Sequence, residues 1–191
     1  YIHSIGADTF RPLEGYFAEE SKRHGLSIHQ PLRLTLAPQI MNPPPQPPQG
    51  ASAPAVIVWS LRMRWWAWRN DPLSNGPKQQ VRLYVQFFDP AQHPTLAHST
   101  GLDRGMIGLV NAFATPAAAG SNNVVIAHEL LHTLGATDKY DPATNQPSFP
   151  DGYAEPQRKP SLPQTHAEIM AGRIPKSAQE AVIPDSLDAT V

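Results

Sequence analysis

The chain has 191 residues, 40% of them hydrophobic, a formal net charge of -1 and no cysteine. That length and apolar content support one domain with a real core, and the near balance of charge offers no broad electrostatic footprint for nucleic acid or an anionic membrane surface. The lack of cysteine excludes disulfides and thiolate metal ligands, leaving histidine and carboxylates to hold any metal ion.

No stretch approaches the roughly 18 apolar residues of a membrane span, and the N-terminus lacks the basic-then-apolar pattern of a secretory signal. The chain starts at Tyr1 without Met, which reads as a mature form or an excised part of a larger protein. Its 22 prolines predict long irregular segments.

In chain order, residues 13–24 set Phe17 among Glu14, Glu19, Glu20 and Lys22 and stop at Gly25, the pattern of a short amphipathic helix. Residues 28–36 alternate, with Leu32, Leu34 and Leu36 on one face and Arg33 and Thr35 on the other, which predicts a strand. Residues 42–54 (NPPPQPPQGASAP) lack N–H groups at every proline, so an extended surface loop is expected.

Three more strands are expected, over 55–69, 80–88 and 105–113. In the first, Leu61, Met63 and Trp65 would face inward and Arg62, Arg64 and Trp66 outward. Aromatics beside arginines there could also grip a glycan or a partner protein. In the second, Val81, Leu83, Val85 and Phe87 alternate with Arg82, Tyr84, Gln86 and Phe88. His93 and His98 read as ordinary loop histidines, and Met63 and Met106 as core.

Ser121, Asn122 and Asn123 offer N-caps for a helix that runs through Val124 and stops at Gly135. Val124, Ala127, Leu131 and Leu134 form one stripe and Ile126 and Leu130 another, so the helix is apolar away from its histidines and should be buried. It carries His128-Glu129-Leu130-Leu131-His132, an HExxH sequence. Two histidines four apart lie about 40° apart around a helix and one turn along it, so both imidazoles reach one ion. Glu129 falls beside them, where a carboxylate can take a proton from a water that zinc has acidified. A catalytic zinc needs three protein ligands and one open position, so a third ligand must come from outside this helix. After it, residues 136–165 carry six prolines and should form a largely irregular loop leaving the metal site.

The sequence from His128 to Asp138 resembles the extended HExxHxxGxxD motif of snapalysin-like metzincins, which implies Asp138 as a ligand turned to the metal by Gly135. Glu168-Ile169-Met170-Ala171-Gly172 resembles the metzincin Met-turn, and Glu168 is equally placed as a glutamate ligand of the gluzincin kind. Roughly the last seventy residues also resemble the C-terminal metallopeptidase effector domains of type VI secretion VgrG spike proteins.

These resemblances imply an α+β fold, with a twisted mixed or mostly parallel sheet on the active-site helix. They imply one zinc metallopeptidase domain spanning 1–191, acting on peptide or protein substrates of the bacterial envelope. The VgrG likeness implies part of a larger secreted protein, an antibacterial toxin delivered to the periplasm of a target bacterium, with an immunity protein as a candidate partner. The expected site is Zn2+ on His128, His132 and Glu168, with Asp138 or His166 as the alternative third ligand and Glu129 as general base. Tyr140, Tyr153 or His166 would supply a transition-state donor. The rival expectation is a glycan- or protein-binding module with a structural or vestigial zinc.

Overall fold

The computed structural model describes residues 1–48, 52–72, 80–102 and 106–191. The fold is mixed α+β, with three α-helices and small sheets among the described residues. Helix α1 (Arg11–Arg23) forms where expected and buries Leu13.

Residues 28–36 do not form a strand. Leu32 and Leu34 still pack on the core, but the Leu34 N–H donates to a Glu14 carboxylate oxygen of α1 at 2.7 Å. With that donor used and none on Pro31 and Pro38, the backbone cannot extend a ladder. In the proline-rich segment, residues 43–48 form neither helix nor strand and the Trp59 indole N–H donates to Pro45 O at 2.8 Å, whereas Ala53 and Pro54, expected in the loop, open the next helix.

The expected strand over 55–69 is instead the 18-residue helix α2 (Ala53–Asn70). Its β-branched and aromatic residues favour strand locally, but packing overrides them. Trp59, Met63, Trp66 and Ala67 recur at helical spacing and are all buried, whereas Leu61 and Trp65, expected inside, are exposed. Trp66, expected outside, meets Tyr84 edge-on at 4.9 Å.

Strands β1 (Arg82–Phe88) and β3 (Ile107–Phe113) pair in parallel from Arg82↔Ile107 to Phe88↔Phe113, and β2 (Thr100–Leu102) pairs antiparallel to β3. The order β1-β3-β2 makes β3 central, and its residues are buried from Ile107 to Ala112. Position 105 lies outside the described residues. Alternation divides β3 between two cores. Val110 packs with α3 residues, joined by Leu83 and Val85 of β1, while Ile107 packs with α2, joined by Tyr84. Met106, expected in the core, is 40% exposed and holds φ +50 at the entry to β3.

Helix α3 (Ala119–Thr133) starts earlier than the cap residues suggest, and no side chain caps it. The asparagines serve other elements. Asn122 accepts from Phe113 N–H at 3.0 Å and donates to Phe113 O at 2.9 Å, fastening α3 to the end of β3. Asn123 donates to Thr9 O at 2.9 Å, holding the N-terminal segment. Val124, Ile126, Ala127 and Leu130 are buried as the stripes predict, and Leu134, past the last helical residue, is exposed.

The first turn of α3 passes so close to the C-terminal segment that a Cβ at Gly120 would overlap the Asp185 carbonyl oxygen. Gly120→Ala should therefore destabilise the fold by about 1–3 kcal/mol despite better helix propensity. Urea unfolding will check this, and an unchanged or raised midpoint would contradict it.

Beyond α3, the irregular stretch expected over 136–165 contains one short hairpin, β4 (Tyr140–Asp141) with β5 (Gln146–Pro147). Strands β6 (Ile174–Pro175) and β7 (Ala181–Val182) form another. The C-terminal residues 189–191 run beside 167–169, with Ile169 N–H donating to Val191 O and Val191 N–H to Ala167 O.

Candidate metal centre

The four-residue spacing on α3 brings His128 and His132 together with their Nε2 atoms 2.9 Å apart. Asp138, six residues past His132, returns to the same point: its Oδ1 lies 3.1 Å from each Nε2. The return follows from the helix ending. Gly135 takes φ +97, a left-handed conformation that closes a helix at little cost to glycine, and its N–H bonds to His132 O.

Both imidazoles are oriented from behind. His128 Nδ1 donates to Ile169 O and His132 Nδ1 to Ala136 O, each at 2.9 Å. These carbonyls accept only, so each ring carries a proton on Nδ1, and a neutral ring turns its Nε2 lone pair toward the Asp138 carboxylate. Burial holds the His128 pKa below its ordinary value, which favours the neutral ring.

With both rings neutral, three acceptor atoms face one another within 3.1 Å. A single proton satisfies two of them; a divalent cation satisfies all three. The edges of a tetrahedral zinc shell are about 3.3 Å, close to these separations. The donor set fits such an ion.

Glu129 is 5% exposed, and the ligand atoms of His128, Glu129 and His132 all lie within 4.8 Å of one another. These three residues form a group able to hold a metal ion. His93 packs edge-on against Phe88, and neither it nor His98 joins a metal-holding group among the described residues.

Glu168 is engaged elsewhere. One carboxylate oxygen accepts from Lys139 Nζ at 2.8 Å and the other from Ala171 N–H at 2.8 Å. The Lys139 backbone N–H also donates to Met170 O at 3.0 Å. Residues 168–172 therefore form a tight turn that is fastened to the residue after Asp138 and presents Ile169 O to His128. Met170 is buried in the same cluster as Val124, Ile126 and Ala127 of α3.

Of the three expected donors, Tyr140 stands at the histidines, its ring 6.4 Å from that of His128. Its phenol hydrogen-bonds to Asp138, and its pKa is raised, first by burial and then by the charges of Asp138 and Glu129. Tyr153 packs on Phe149, and His166 Nδ1 contacts Thr165 Oγ1 at 2.8 Å.

Sequence reasoning missed the orienting carbonyls of Ala136 and Ile169 and the Lys139–Glu168 clamp. Backbone carbonyls carry no side-chain signal, and the clamp joins residues 29 apart. No protein-family model matches this chain, and the searches of curated proteins and of solved structures give no match.

Proposed function

We propose that this chain is a zinc-dependent peptidase, with His128, His132 and Asp138 as protein ligands and Glu129 as general base. The observation that carries the reading is the convergence of His128 Nε2, His132 Nε2 and Asp138 Oδ1 beside a buried glutamate on the same helix. Asp138 takes the ligand role in preference to Glu168, because both Glu168 oxygens are engaged by Lys139 and Ala171.

When bound, zinc supplies Lewis acidity that acidifies a water and polarises a carbonyl. Glu129 accepts the proton as the water oxygen attacks the scissile carbon, then delivers it to the amide nitrogen as the C–N bond breaks. The products are a carboxylate and an amine. Tyr140, kept protonated, would turn its single O–H from Asp138 to the developing oxyanion. Ile169 O and Ala136 O keep the imidazole lone pairs aimed at the ion through both steps.

We infer a setting for this activity from the resemblance of the C-terminal part to VgrG effector domains: an antibacterial toxin acting on envelope proteins in the target periplasm. Two histidines and one carboxylate also form the donor set of non-haem iron enzymes, which makes metal identity part of the test. The metal-free chain should take up one zinc per molecule and then release new amino termini from an unfolded protein substrate. Preference for iron(II), or a zinc closed by four protein ligands with no cleavage, would defeat the reading.

A further inference from the structure

The outward face of α2 is apolar where a solvated helix would be polar. Ile57, Leu61, Trp65 and Trp68 are 59%, 61%, 59% and 73% exposed. At 100° per residue they share an arc of about 80°, opposite the arc of Trp59, Met63, Trp66 and Ala67 that enters the core. Arg62 and Arg69 border the exposed stripe on one side and the half-buried Arg64 on the other. The Arg69 guanidinium carbon lies 5.8 Å from the Trp65 ring centroid. No acidic residue occurs on α2, and all four tryptophans of the chain lie there. A chain balanced overall thus carries one cationic, aromatic surface.

We propose that this face docks on an anionic phospholipid surface, with α2 lying in the headgroup plane. The charge pattern selects the lipid: the exposed Arg62 and Arg69 beside the apolar stripe reach phosphates while the stripe enters the acyl boundary. Trp65 and Trp68 present the amphipathic rings that favour this interface. A protein partner would need a groove shaped to a straight, convex helix, whereas a bilayer accepts it without shape matching. The proposed contact is peripheral, and no helix among the described residues is long and apolar enough to cross a membrane. Because the opposite face of α2 is packed against Ile107 and Tyr84, docking needs no unfolding. The inference stands independently of the metal site.

Cosedimentation of the full chain with phosphatidylglycerol–phosphatidylcholine vesicles tests it. The expected result is binding that weakens with salt and quenching of tryptophan emission by lipids brominated in their tails. The double variants Arg62→Glu/Arg69→Glu and Trp65→Ser/Trp68→Ser should each lower partitioning by more than about tenfold, with circular dichroism and zinc content unchanged. Failure to bind the mixed vesicles, or equal binding to phosphatidylcholine alone, overturns the proposal. So does a dimer in solution that Trp68→Ser dissolves, which would assign the face to a second copy. Tighter salt-dependent binding to polyglutamate than to vesicles would assign it to an acidic protein.

Discussion

Replacing Glu129 by glutamine should slow peptide hydrolysis about 10²–10⁴-fold while leaving one zinc bound per chain. Glutamine keeps the volume of a side chain that is 5% exposed, so the packing of α3 survives, but the amide cannot accept the proton of an attacking water. General-base catalysis contributes about 10²–10⁴-fold, and that is the loss expected in turnover. Zinc content should not follow activity, because the three converging acceptors belong to His128, His132 and Asp138. His128→Ala provides the contrast, losing metal and activity together. Measuring zinc by atomic emission beside cleavage of the same preparation separates the two cases. A Glu129→Gln chain that cleaves at close to the unsubstituted rate would remove the residue from the mechanism, and one that loses zinc would make it a ligand.

The parts of this molecule that the sequence makes legible are those governed by local spacing. Helix α1, strands β1 and β3, and the pairing of His128 with His132 each follow from a period of 3.6 or 2 residues. Helix α2 does not, because it is apolar on two opposite faces. A run such as Val56-Ile57-Val58-Trp59 satisfies strand propensity as well as helix, and only the fit of Met63 and Trp66 against Ile107 and Tyr84 decides. The 28–36 strand is lost for two reasons: Pro31 has no N–H to give, and a Glu14 carboxylate 20 residues away takes the Leu34 donor. At the candidate metal centre, Asp138 and Glu168 are equivalent as carboxylates in a loop. What separates them is the reach of the Lys139 ammonium, a tertiary fact with no trace in the HExxH spacing.

That separation leads to the second large effect. Asp138→Ala should lower zinc affinity by about a hundredfold or more, taking a zinc site's roughly 10–16 kcal/mol as shared among its ligands. Glu168→Ala should act more weakly, by about 10–100-fold, through positioning alone. It removes the anchor of Lys139 and the acceptor for Ala171 N–H, loosening the turn that holds Ile169 O against His128 and the segment that carries Asp138. Lys139→Met should reproduce much of the Glu168→Ala loss, since it breaks the same 2.8 Å contact from the other end. A Glu168 ligand would give a different pattern: Lys139→Met would then leave affinity nearly unchanged, and Asp138→Ala would act weakly. Chelator competition with all three variants reads the pattern directly. X-ray absorption adds a measure that a positioning role would not move, because Glu168→Ala should keep two imidazoles and one carboxylate on the metal and Asp138→Ala should not.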